Sequence, residues 1–287
     1  MRFSAVLVTL AVGACATAIR TELPPDAADP QGSGSGSNTD TNGAGSGSGS
    51  GSTAPLADAP LLLSEISLGP TGHEFVEIVN PTAFAVPLKD VYLTDNGNYF
   101  KLPAGQATLS SGDFLVRFPD NDIVPAHGVI TIAIGAAADF TTAFGSAPTY
   151  SIADGTLTIV SSMSPSLTDA GEIIVLFQWD GQAPLVRDVD IMIAGVPTAA
   201  NSMVSKSGYS QLAGTYKTDL GMIAAQATAP AAGKSTKRIM LETGHETQTG
   251  GGNGVGGDDE TSEATGTTWD SSFAAPTPGQ VPAALLQ

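Results

Sequence analysis

The one thiol in the sequence belongs to Cys15. With no second cysteine to pair with, it is a free nucleophile that calls for an explanation such as covalent modification. Val12, Gly13 and Ala14 place small side chains directly before it, the arrangement of a secretory cleavage site. A second chemical candidate follows the Gly-rich run 250–257, where Asp258, Asp259, Glu260 and Glu263 come in quick succession. Carbonyls and carboxylates on such a loop suit Ca²⁺, a hard cation that prefers oxygen ligands. A calcium β-roll needs several copies of its repeat, so the loop reads as plainly acidic, with no metal or cofactor expected, and Asp258, Asp259 and Glu260 are the cation candidates of the alternative. A third candidate is Glu77, a carboxylate inside the apolar run Phe75–Val79. If buried, it needs a cation or hydrogen-bond donors.

Other chemistry is not supported. His73, His127 and His245 each lack a second His three or four residues away, so no zinc helix or finger motif is present. Asp120-Asn121-Asp122 begins like a calcium loop, but Ile123 and Val124 replace the expected ligand and Gly. Gly233-Lys234-Ser235 ends like a phosphate-binding loop, yet Thr228 stands where its first Gly belongs. No Gly-x-Ser-x-Gly elbow supports a Ser-His-Asp triad.

The elements that carry these residues change character along the chain. Residues 1–14 read as a signal peptide: Arg2 supplies the positive charge, and Ala5–Val12 is an apolar run far short of the about 20 residues that a permanent membrane helix needs. Val12-Gly13-Ala14-Cys15 resembles a bacterial lipobox, which implies diacylglycerol on Cys15 and a membrane partnership through that lipid. Ala16, in place of an inner-membrane-retaining Asp, implies the outer membrane or the cell surface. Residues 15–60 then form a tether. The stretch 31–52 holds only small and polar side chains, too little apolar surface to repay the entropy of ordering. A Gly/Ser linker of about 40 residues has an r.m.s. span of roughly 35 Å.

The formal charge of −17 sets 11 Lys and Arg against 28 Asp and Glu, and nucleic acid is not an expected partner. The close basic cluster of Lys234, Lys237 and Arg238 reads as one face of a strand and its turn.

From Leu61 onward the pattern is of strands. β-branched and aromatic runs at 61–67, 75–79, 91–93, 114–118, 129–134, 157–160, 173–179, 186–193 and 237–241 are bounded by Gly, Pro or Asp. Asp180-Gly181 suits a hairpin turn. Only 219–229 speaks for a helix. Asn80, before Pro81, is kept out of the α region and ends its strand in an extended turn, where its side chain can bond nearby backbone. The class is all-β, a sandwich or barrel.

Ser64-Glu65-Ile66, His73 through Pro81 (HEFVEIVNP), Val86-Pro87-Leu88 and Val91 through Asp95 (VYLTD) resemble the opening of a bacterial lamin-tail domain. Val124 through Ile130 (VPAHGVI), Gly233 through Arg238 (GKSTKR) and Pro276-Thr277-Pro278-Gly279 are similar to its later motifs, in the family's order. The resemblance implies an immunoglobulin-like β-sandwich over 61–280, with insertions near 139–170 and 198–232 and a short tail at 281–287. It also places Arg238 as the partner of Glu77. The expected role is a non-enzymatic lipoprotein module that binds protein or glycan. The alternatives are a structural envelope component docking on other envelope proteins and a calcium-dependent hydrolase.

Overall fold

The structure is a computed structural model that describes residues 59–162, 164–168, 171–195, 204, 206, 208–211, 214–219, 230–246, 252–270 and 272–287. Cys15, the expected signal peptide, the expected tether through residue 58 and residues 220–229 of the expected helix lie outside the described residues. The strands in chain order begin with β1 (Leu62–Ser67), β2 (Phe75–Val79), β3 (Val86–Pro87), β4 (Val91–Thr94) and β5 (Phe114–Arg117). They continue with β6 (Ile123–Val124), β7 (Val129–Ala133), β8 (Tyr150–Ser151), β9 (Thr158–Ser162) and β10 (Gly171–Gln178). The last are β11 (Arg187–Gly195), β12 (Ser210–Gln211), β13 (Gly214–Thr215) and β14 (Thr236–Lys237). The protein is all-β, with few and short helices.

Two five-stranded sheets dominate, in the orders β14-β1-β2-β7-β8 and β11-β10-β4-β5-β9. Every pairing in them is antiparallel except β7 with β8. Leu63, Val76 and Ile78 of the first sheet share one buried apolar cluster with Leu93, Val116 and Leu176 of the second. Side chains alternate across a strand, so the intervening residues of β10 (Ile173, Val175 and Phe177) face away from that cluster. They are buried in a second cluster with Tyr99, Phe100 and Tyr216. That is why IIVLF reads as an unbroken apolar run: both faces of β10 are covered. The β10–β11 hairpin turns through 179–186, where Asp180 Oδ1 accepts the backbone N–H groups of Gln182 and Ala183 at 2.9 and 2.7 Å.

Several expectations needed correction. Residues Ala137–Phe144, within a region expected only as an insertion, form an α-helix, α1. Phe140 and Phe144, one turn apart, pack on Phe75 of β2, and Gly145 closes the helix in the left-handed region at φ 79°. The strand expected at 237–241 ends at Lys237. The segment 281–287 is no free tail: Leu285 is buried against Leu62 and Val79, and Gln287 N–H donates to the Pro81 carbonyl at 2.7 Å.

Candidate functional site

Glu77 and Arg238 do not meet. β14 pairs with β1, setting Lys237 opposite Glu65, and Glu65 opposite Glu77. Successive strand residues point to opposite faces, so Lys237 shares the outer face with the two glutamates while Arg238 turns inward. The same alternation splits the basic cluster that the sequence suggested lay on one face. Glu77 is satisfied instead by Ser64, whose hydroxyl donates at 2.9 Å, and by the backbone N–H of Gly279. Glu65 accepts the Thr277 N–H at 2.9 Å, and Lys237 Nζ lies 3.7 Å from the Glu65 carboxylate. The two carboxylates thus fasten the Thr277-Pro278-Gly279 segment across the outer face of the first sheet. Burial, opposed in part by these donors, pushes the Glu77 carboxyl up to about 7.

Asn80 locks the turn after β2. Its side-chain amide donates to the carbonyls of Phe84, Val124 and Pro125 at 2.5, 3.1 and 2.9 Å, and its oxygen accepts from the Thr82 N–H at 3.0 Å.

Arg238, fully buried, stands at the centre of an acidic cluster. Nε donates to the Leu63 carbonyl at 2.8 Å, Nη1 to Glu263 at 2.6 Å, and Nη2 to both oxygens of Asp190 at 2.8 and 2.7 Å. Trp269 covers the guanidinium, its ring centre 5.0 Å away. A bulge in β11 positions Asp190: Leu176 pairs with Asp190 but Phe177 pairs with Asp188, leaving Val189 as the extra residue. The two aspartates therefore face opposite sides of the sheet. Asp190 looks in toward Arg238. Asp188 looks out, accepting Lys206 Nζ at 2.7 Å and the Tyr99 hydroxyl at 2.6 Å.

Two segments bring three further carboxylates to Asp190. Glu242 lies in the turn after Arg238, with Oε2 3.7 Å from Nη1. Glu260 opens a short 3-10 turn, Glu260–Ser262, and Glu263 follows it. Oxygen atoms of Asp190, Glu242 and Glu260 all lie within 4.8 Å of one another. Oε2 of Glu242 and Oε2 of Glu260 are buried with no hydrogen-bond partner among the described residues. Burial, with repulsion from the neighbouring acids, holds the Glu242 and Glu260 carboxyls well above the usual range. Burial also raises Asp190 to about 6 in spite of Arg238. Beside the cluster lies a cavity of about 170 Å³ whose walls include Leu62, Val189, Glu242, Asp258 and Glu260.

The glycine run explains how the acids come so close. A Cβ on Gly254 would sit 2.7 Å from Glu260 Oε1 and 2.8 Å from the Asp258 carbonyl, and one on Gly252 only 2.1 Å from that carbonyl. Of the acids suggested by sequence, Glu260 enters the cluster and Asp258 lines the cavity. Asp259 is turned elsewhere: its Oδ1 caps the 3-10 turn, accepting from the N–H of Thr261 at 3.1 Å and from its hydroxyl. Asp190 and Glu242 escaped sequence reading. The histidines are scattered: His73 packs edge-on against Phe144, and His127 occupies a left-handed turn at φ 54°.

A second surface feature lies at the far edge of the second sheet. Among the described residues β9 pairs with β5 on one side only, and Ile159 and Val160 are 49 and 43 % exposed. The pairing skips Val160, since Leu115 pairs with Ser161 and Val116 with Ile159. The bulge turns two consecutive apolar side chains to solvent.

No family model matches the chain, and no curated protein is similar enough to count as a relative.

Proposed function

We propose that the protein is a non-enzymatic, lipid-anchored envelope module whose lamin-tail-like, immunoglobulin-like β-sandwich binds an extended segment of a partner protein along β9. The observation that carries this reading is the open edge. A strand at the end of a sheet offers a row of backbone donors and acceptors, and a peptide that adds to it gains main-chain hydrogen bonds while its partner's side chains supply specificity. Here the edge has no guarding Lys or Pro within Thr158–Ser162 and presents Ile159 and Val160. The bulge shortens the run on which an arbitrary strand could pair, so the occupant must also accommodate these two side chains. A protein segment fits such an edge better than a glycan, which offers no ladder of amide groups. Cys15 and the Gly/Ser run of 31–52 would supply anchor and reach, at the outer membrane or cell surface.

A photo-crosslinking side chain at the exposed Thr158, in cells, is expected to give an adduct with a defined protein that is not formed from the exposed Thr142 on α1. Replacing Ile159 and Val160 together by Lys is expected to reduce that adduct at least tenfold. An adduct that survives the double replacement, or the same adduct from both positions, overturns the reading. A dimer of this chain would make β9 a self-pairing edge instead. Whether the captured protein is an external ligand or an envelope component separates adhesion from the structural alternative.

A further inference from the structure

We infer that Asp190, Glu242 and Glu260 form a calcium site, which opens onto the cavity beside β11 and ties the glycine-rich segment 252–263 to the core. The first support is charge. Among the described residues Arg238 is the one cation in contact with this cluster, and its guanidinium is already engaged by Asp190, Glu263 and the Leu63 carbonyl. The second support is independent of the count of acids. Glu260, only 4 % exposed, is one of the three converging carboxylates and keeps an oxygen with no hydrogen-bond partner among the described residues. Buried polar atoms are normally satisfied, and one that is not signals an absent ion or water.

The donor set selects the ion. Only carboxylate oxygens converge, with no His or Cys in the group, which is the preference of a hard cation. Calcium–oxygen distances are about 2.3–2.6 Å, so two ligands on opposite sides of the ion stand about 4.8 Å apart. The three carboxylates already lie within that span. Magnesium dehydrates reluctantly and is usually held by one or two carboxylates, so three converging carboxylates suit calcium better. Calcium takes six to eight oxygens, and the adjoining cavity of about 170 Å³, with Asp258 in its wall, provides room for water ligands and a way in.

The test uses the full chain. Added Ca²⁺ at a hundredfold excess over its Kd is expected to raise the thermal midpoint by about 5–10 °C, and equimolar Mg²⁺ much less. Glu242→Gln with Glu260→Gln is expected to abolish the Ca²⁺ shift. Terbium supplies a readout that does not require the variant to fold. Tb³⁺ bound to the wild-type chain is expected to luminesce on tryptophan excitation, through Trp269 beside Arg238, and to be displaced by Ca²⁺. Absence of both the thermal shift and the terbium signal overturns the site. A shift that persists in a folded double variant overturns its location, and an equal response to Mg²⁺ overturns the assignment to calcium.

Discussion

At the scale of single residues, the clearest consequence concerns Glu77. Its carboxyl is raised to about 7 by burial, against about 4.3 in an unfolded chain. The protonated form is therefore favoured by folding. The associated stability is fully present below about pH 4 and is lost as pH rises through 7. Glu77→Gln mimics the neutral acid. It is expected to leave stability near wild type at pH 4 and to exceed wild type at pH 8.5 by about 3–4 kcal/mol, measured by urea unfolding at the two pH values. A difference that does not change with pH would show that the carboxyl ionises normally. The sequence exposed the problem posed by Glu77, a charge in an apolar strand, but not its solution. The donors are Ser64, displaced onto the outer face by a bulge between Leu63 and Glu65, and a glycine two hundred residues away. The Asn80 turn was more legible, because Asn-Pro restricts its own backbone and its partners begin two residues on. The cluster around Arg238 was least legible. Its acids come from residues 190, 242, 260 and 263, and only chain folding makes them neighbours.

At the scale of elements, strands that bury a whole face were readable from their apolar runs, as β1, β2, β7 and β10 show. Bulges were not. Simple alternation would set Asp188 and Asp190 on one face of β11, whereas the extra residue at Val189 sends them to opposite sides. Likewise α1 was hidden because its apolar face is little more than Phe140 and Phe144 among small residues. The outward Asp188 fastens Lys206, and through it Asp219, to the second sheet. Lys206 Nζ, fully buried, bridges Asp188 and Asp219 at 2.7 and 3.0 Å, while the Tyr216 hydroxyl donates to the Phe100 carbonyl at 2.8 Å. Lys206→Met would leave two carboxylates without their cation, and removing one partner of a buried ion pair costs about 3–5 kcal/mol. The expected outcome is that loss in denaturant unfolding, together with a gain of dye binding where Tyr99 and Phe177 become accessible. A Lys206→Met chain as stable as wild type would mean that packing of the tyrosines alone holds this segment.

At the scale of the whole molecule, the order of the chain explains where the domain must begin. Ala59 and Leu61 are buried in the central cluster, and Leu62 is buried beside Leu285. Leu61 N–H also donates to the Ala59 carbonyl at 2.8 Å, closing a turn just before β1. The Gly/Ser stretch 31–52 offers no apolar side chain larger than Ala44 to add to this core. A chain beginning at Ala59 is therefore expected to melt within about 5 °C of the longer chain, a margin of about 1–2 kcal/mol for a domain of this size. A chain beginning at Leu63 is the informative contrast, since it keeps most of β1 but loses Ala59, Leu61 and Leu62. Truncating a buried Leu to Ala costs about 2–5 kcal/mol, so losing two leucines is expected to lower the midpoint by at least about 10 °C. Calorimetry of both truncated chains in the same buffer checks the pair. If the Ala59 chain fell as far as the Leu63 chain, residues before Ala59 would have to belong to the folded unit, and the separation of tether from domain would fail.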